Sequence, residues 1–198
     1  ALGAKNPKEA ADLSRQSVLL GLFLGVLLTG AGWVLGPSMF RMLGAEGSYL
    51  TITLTYMNII WAGTLFFIAQ SMINATLQAQ GDTTTYRNLL IVGFFLNLLL
   101  DPWLMHGGLG VPSMGMAGIA WATVLIQIVG VFYLVYRVMG SSLRWSVRLG
   151  DWKPQWHLWR SLIAQGFPAA VNMMTVAAGI FIITWFISFF SKEGVAAY

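Results

Sequence analysis

The chain has 198 residues, 57% of them hydrophobic and only 9% charged, against about 45–50% apolar and about 25% charged in an average soluble domain. So few charges cannot cover a water-facing surface, and the mean hydropathy of +0.71 agrees; soluble globular, disordered, collagen-like and coiled-coil classes are excluded, which leaves an all-α integral membrane protein. No cysteine is present, which excludes disulfides and thiolate metal sites, and the net charge of +4 comes from basic residues that flank apolar runs, a pattern that predicts no nucleic-acid partner.

A bilayer-spanning helix needs about 20 mostly apolar residues, and the charge-free runs predict five such spans in a polytopic bundle. The first is Gln16–Gly36. The second, Tyr49–Gln78, closes on the turn Gly81-Asp82-Thr83. The third, Arg87–Met105, is unusual because Asp101 and Pro102 interrupt it. After the glycine-rich turn from Gly107 to Pro112 comes the fourth, Gly115–Arg137. A polar connection comes next, with Trp145, Trp152, Trp156 and Trp159 set among Arg144, Arg148, Lys153 and Arg160, a combination suited to the headgroup layer. Trp156, Trp159 and Ile163 recur at three- and four-residue spacing after Pro154. They predict a short amphipathic surface helix leading into the fifth span, Ser161–Phe190, with Pro168 in its first turn or at a kink.

Five spans put the loops alternately on two sides. Lys5, Lys8, Arg15, Arg87, Arg137, Arg144, Arg148, Lys153 and Arg160 share one side, and Arg41 and Lys192 share the other. Nine against two predicts that residues 1–15, 79–87 and 138–160 are cytoplasmic in a multi-pass cell-membrane protein. The first twenty residues lack the short apolar core and cleavage site of a secretory signal.

Asp101 is the only ionisable side chain well inside a predicted span. A carboxylate in hydrocarbon costs several kcal/mol, so such a residue faces a cavity or a partner, or keeps its proton. Asn97, one helical turn earlier, lies on nearly the same face and can donate to one form of the carboxyl and accept from the other. The competing reading is that Asp101 caps the outer end of its helix and is simply wet. Thr123, Gln127, Asn58, Gln70, Asn74, Asn172 and Thr175 are further polar side chains at helical depth, suited to interhelical hydrogen bonds or to lining a pathway. Gly21 with Gly25, Gly32 with Gly36, and Gly115 with Gly118 and Ala122 predict close helix packing. There is no Gly-rich phosphate loop, HExxH or nucleophile elbow, and His106 and His157 are predicted on opposite sides. The expectation is a protein that is not an enzyme and carries no cofactor or resident metal.

Several segments, in order, resemble the multidrug and toxic compound extrusion (MATE) family of secondary transporters. Ala1 to Asn6 is similar to the turn after that family's second helix, and Leu77 to Thr83 (LQAQGDT) to its fourth-to-fifth-helix loop. Asn97-Leu98-Leu99-Leu100-Asp101-Pro102 resembles the fifth-helix NxxLDP signature, and Gly115 to Thr123 (GMAGIAWAT) the sixth helix. Gly166 to Ala170 and Gly194 to Tyr198 resemble the beginning and end of the seventh. The resemblance implies helices three to seven of a twelve-helix, two-lobe antiporter. Residues 1–139 then belong to the N-terminal lobe, 140–160 form a cytoplasmic amphipathic linker, and 161–198 begin the C-terminal lobe. It further implies export of an amphipathic, often cationic small molecule in exchange for H⁺ or Na⁺, by a protein that is monomeric at full length and contacts membrane lipid. In the branch related to DNA-damage-inducible and archaeal members, Asn97 and Asp101 correspond to an ion site, with Thr123 supplying a hydroxyl; Na⁺, where it is the ion, would sit at Asp101 and Asn97. A branch that uses a seventh-helix glutamate is disfavoured, because no acid lies between Arg160 and Lys192. The alternatives are a lipid-linked-precursor flippase of the same superfamily, which would line its cavity with several arginines, and less favoured a membrane-embedded enzyme or a non-transporting scaffold. Residue 1 is Ala and the first Met is Met39, so the expected parent gene adds about two helices upstream and about five downstream.

Overall fold

The structure, a computed structural model, describes residues 7–108, 110–143, 145 and 152–188. Ala1 to Asn6, Gly194 to Tyr198 and the basic residues Lys5, Arg144, Arg148 and Lys192 lie outside the described residues. Five helices succeed one another: α1 (Pro7–Met42), α2 (Gly47–Ala79), α3 (Thr84–His106), α4 (Met116–Met139) and α5 (Trp156–Ser188). All five are long and apolar enough to cross a membrane, and the described residues contain no strand beyond an isolated bridge between Gly108 and Val111.

The largest departure from the sequence reading is α1, expected at Gln16–Gly36 and found to run for 36 residues. At 1.5 Å per residue that is about 54 Å, well beyond a hydrocarbon core of about 30 Å. Lys8, Glu9, Asp12 and Arg15 break an apolar run without breaking a helix, and Arg15 bonds Asp12 one turn back. Pro37 removes one N–H near the other end, and the helix continues through it to Met42, as membrane helices tolerate when neighbours re-satisfy the freed carbonyl. A second departure is the surface helix expected before the fifth span. Trp156 to Arg160 are instead the first turns of α5, opened by the Leu158 and Trp159 N–H groups donating to the Gln155 carbonyl at 3.0 Å. Pro168 accordingly falls in mid-helix, outside the first turn.

α2 packs on both α1 and α4, α3 packs on α4, and α5 packs chiefly on α1. Glycines set the close approaches. A Cβ on Gly32 would stand 2.8 Å from the Trp61 indole, whose ring lies 6.4 Å from that of Phe40, and Thr29 Oγ1 donates to the Trp61 carbonyl at 2.9 Å. Gly63 faces Val124, and Gly118 lies against the Leu104 backbone. Gly115 does not join this packing, because it sits in the turn before α4 at φ 56° with open space around it. The buried core (Val18, Ala69, Ile73, Leu77, Leu134, Val138 and Trp145) gathers where α2 and α4 end. Elsewhere large apolar side chains point outward, among them Phe94, Phe132, Tyr136 and Phe167.

Candidate functional site

The site is built on α3, whose start is fixed by Asp82. One carboxylate oxygen accepts from the Thr85 backbone N–H at 3.0 Å, and the other accepts from the Thr85 hydroxyl at 2.6 Å, which satisfies donors that a helix start leaves open. Thr84 Oγ1 donates to Asp82 at 3.1 Å, and Arg137 of α4 pairs with it at 3.3 Å. The Thr85 hydroxyl and N–H, helped by Arg137 and Thr84 and opposed by burial, hold the Asp82 carboxyl below the usual carboxylate range.

From there α3 climbs against α4. Gly93 admits Ile126 at an approach that would leave a Cβ only 3.3 Å of room, and farther along Gly118 lies against the Leu104 backbone. Asn97 and Asp101 occupy the same side of α3 between these approaches, and antiparallel packing sets Asn97 about level with Thr123. Both are half-buried. Asn97 Oδ1 and Asp101 Oδ1 are enclosed and accept no hydrogen bond. The Thr123 hydroxyl donates to the Ile119 carbonyl of its own helix at 3.1 Å, which leaves its lone pairs free; no hydrogen bond joins it to Asn97 or Asp101 among the described residues.

Asp101 does not cap α3, since the helix passes through Pro102 to His106. The carbonyls at that end find donors elsewhere: Trp103 O from Gly107 N at 2.8 Å, and Leu104 O and Met105 O from Met114 N and Gly115 N at 3.1 Å. Trp103 Nε1 ties down the turn by donating to Gly108 O at 2.9 Å. A carboxylate has nothing to offer carbonyls in any case.

The other polar positions divide. Asn58, Asn172 and Thr175 are exposed, and Thr175 bonds only Val171 of its own helix. Gln70 and Asn74 are buried, each with an oxygen that lacks a partner. His106 ends α3 and His157 begins α5, and the described residues hold no cluster of His, Asp and Glu that could bind a metal.

Sequence reasoning misses a polar clamp at the end where α2 and α4 finish. Buried Gln16 donates to the Lys153 carbonyl at 2.8 Å and accepts from Gln155 N at 3.0 Å. Ser14 and Thr76 share a hydroxyl bond at 2.6 Å, and Trp145 Nε1 donates to Ser14 at 2.9 Å, its ring edge-on to Trp152 at 5.6 Å. The LQAQGDT stretch supplies the rest: Gln80 Oε1 accepts from Ser142 and Leu143 N, and Gly81 turns the chain at φ 84°. That stretch is the available signal, although its pattern points only to a loop.

The MatE family profile matches residues 1–103. A probable multidrug resistance protein NorM of Thermotoga maritima is 31% identical over 182 residues, covering 91% of this chain and 39% of that protein. The chain belongs to the MatE family. A probable multidrug resistance protein YoeA of Bacillus subtilis is 27% identical over 100% of the MatE chain and 43% of its own length. Among solved structures, an inward-facing multidrug resistance MATE family transporter of the MOP superfamily superposes with a TM-score of 0.78 at 25% identity, covering 94% of this chain and 41% of that one. A MOP superfamily transporter from Pyrococcus furiosus gives a TM-score of 0.80 at 24% identity over 98% of this chain and 42% of that one, a likeness of fold. The chain spans about two fifths of the length of the curated relatives it matches. With five apolar helices and this family membership, it is a multi-pass membrane protein.

Proposed function

We propose that the protein carrying this MatE chain is a secondary active efflux transporter and not an enzyme, exporting amphipathic, often cationic compounds in exchange for H⁺ or Na⁺. The observation that supports this reading is the pair of enclosed, unpartnered oxygens of Asn97 and Asp101 on the α4-facing side of a membrane helix. A carboxyl that changes charge there couples an ion gradient to helix packing. Protonation removes the penalty for enclosing it, and Na⁺ would be held by oxygens of Asp101, Asn97 and Thr123. The names of relatives that are multidrug resistance proteins support the substrate class. Every arginine in the five helices lies within nine residues of a helix end, which favours this reading over a flippase cavity lined by arginines.

In the same reading α1 to α4 belong to one lobe and α5 opens the second, supported by α5 packing chiefly on α1. The ends carrying Lys8, Arg15, Arg87, Arg137 and Arg160 face the cytoplasm, and the protein works as a monomer with no cofactor. Asp101→Asn keeps the shape and removes the titration. In proteoliposomes of the full-length protein it should abolish gradient-driven efflux while leaving expression and substrate binding; Asn97→Ala should weaken coupling, and Thr123→Ala less so. Wild-type efflux by Asp101→Asn would overturn the reading.

A further inference from the structure

Beside the turn that joins α2 to α3 lies a cavity of about 570 Å³, lined by Gln80, Asp82, Tyr136, Arg137 and Ser141 among others, a volume in the range of ligand pockets. Its charged pair is loosely made. Arg137 meets Asp82 through a single contact of 3.3 Å, where a close charge-assisted bond measures about 2.7–2.9 Å, and the two side chains are 45% and 24% exposed. Thr85 and Arg137 hold the Asp82 carboxyl below the usual carboxylate range, so it is ionised at neutral pH. A guanidinium carries five N–H donors, and Arg137 spends only one, on Asp82, among the described residues. Thr84 and Thr85 supply the other bonds to Asp82, so its cap on α3 does not depend on Arg137. The Tyr136 hydroxyl has no partner among the described residues.

The cavity lies at the level where two membrane helices stop. α2 ends at Ala79 and α4 at Met139, so Asp82 and Arg137 stand at the depth of lipid headgroups. From the edge of the cavity an apolar stripe runs down α4: Tyr136, Phe132, Val129 and Leu125 are 75%, 70%, 61% and 43% exposed. Counted from Leu125 they fall at i, i+4, i+7 and i+11, which keeps them on one side of the helix. From Leu125 to Tyr136 the helix rises about 16 Å, close to half of a hydrocarbon core of about 30 Å. The stripe therefore has the length of one leaflet's acyl chains and begins at a charged pair set at headgroup depth.

We propose that this cavity binds the headgroup of an aminophospholipid of the phosphatidylethanolamine type, with an acyl chain laid along Phe132, Val129 and Leu125. The ammonium takes the place of Arg137 on Asp82, donating N–H bonds to the carboxylate. Arg137 turns to the phosphate, and the Tyr136 hydroxyl is the second donor there. A short ethylene link keeps the lipid's ammonium beside its phosphate, so two opposite charges that pair directly on the protein exchange for two opposite charges on the lipid. Charge complementarity selects the class. A net-negative lipid such as phosphatidylglycerol would satisfy Arg137 and leave Asp82 facing a like charge. A choline headgroup has the same charges, but its methylated nitrogen carries no N–H to give Asp82. The proposal is independent of the coupling role of Asp101.

The test uses the full-length protein, purified in detergent, stripped of lipid and offered equimolar dioleoyl phosphatidylethanolamine and phosphatidylcholine, with bound lipid read by native mass spectrometry. The ethanolamine lipid should be preferred about tenfold, or about 1.4 kcal/mol, and stepwise methylation of its amine should reduce that preference in steps. Arg137→Gln and Asp82→Asn should each abolish it, whereas Arg137→Lys, which keeps the charge, should retain most of it. Arg87→Gln removes an arginine near the start of α3 that does not line the cavity, and should change nothing. Glycerophosphoethanolamine, the headgroup without acyl chains, should not compete. Equal binding of the two lipids, or a preference that survives Arg137→Gln, would overturn the proposal. So would tighter binding of phosphatidylglycerol, which marks a simple anion site, or competition by glycerophosphoethanolamine at the lipid's own concentration, which marks a site for a soluble ligand. No bound lipid at all would show that another part of the full-length protein covers the stripe, and would overturn it too. The comparison between lipids is made on the wild-type protein and holds whether or not each variant folds.

Discussion

The two ends of the same four-helix unit treat polar side chains in opposite ways. Where α2 and α4 finish, Ser14, Gln16, Thr76, Gln80, Asp82 and Arg137 bond one another or the connecting chain. Toward the other end of α3, Asn97 and Asp101 present oxygens to nothing, and Gln70 and Asn74 on α2, just short of the clamp, do the same. Matched polar groups rigidify and add stability, whereas unmatched ones subtract from it and persist where something else uses them. The difference teaches that the first set is architectural, whereas the second supplies the enclosed, unpartnered oxygens on which the proposed coupling role rests.

Substitutions can break that comparison. The largest stability loss is expected from Gln16→Leu, which leaves the Lys153 carbonyl and Gln155 N–H unmatched and should cost about 3 kcal/mol. The full-length protein should melt lower and be cut sooner by protease between residues 140 and 155. Ser14→Ala strands the Trp145 indole N–H, while the Thr76 hydroxyl keeps its bond to the Met72 carbonyl, and should cost about 2 kcal/mol, read in the same melting assay. Asp82→Ala removes the cap of α3 and should cost about 1–2 kcal/mol.

The Asp82 effect depends on pH with a definite sign. Its folded pKa is depressed, so its contribution is complete above the unfolded carboxylate value of about 3.9 and fades as the pH falls below it toward the folded value. Wild-type stability should therefore drop below about pH 4 more steeply than that of Asp82→Ala, as melting at stepped pH would show. At the far end the pattern reverses. Asp101→Asn should leave the melting temperature unchanged or raised while efflux is lost, and Thr123→Ala should shift stability by less than about 0.5 kcal/mol, since its hydroxyl bonds only its own helix. Loss of stability with Asp101→Asn, or loss of coupling without loss of fold in Gln16→Leu, would erase the distinction between the two ends.

The helices are legible because a bilayer demands long uninterrupted apolar runs, and the departures fall where that demand ends. Residues 7–15 and 37–42 of α1 lie outside the apolar run, where charge and proline say nothing decisive about helix. Trp156 to Arg160 join α5 for the same reason, that a change in polarity is not a change in backbone. Asn97 and Asp101 are legible as a pair because i and i+4 share a face on any helix. Their lack of partners is not, since it depends on what α4 places opposite. Gln16 is invisible as a clamp, because its partners lie more than 130 residues away and are backbone atoms, which carry no sequence signature.

The sequence by itself therefore determined the features that arise from local chemistry: the apolar runs that must span, the basic residues gathered at one set of helix ends, and the spacing that aligns Asn97 with Asp101. Only the tertiary structure decided which polar groups are matched. Gly93, Gly118 and Gly130 set how closely α3 and α2 approach α4, and that approach decides whether an amide or carboxyl finds a donor or faces an enclosed gap. Hydrogen-bond satisfaction depends on distances of a few tenths of an ångström between elements, and no periodicity along one chain segment contains them.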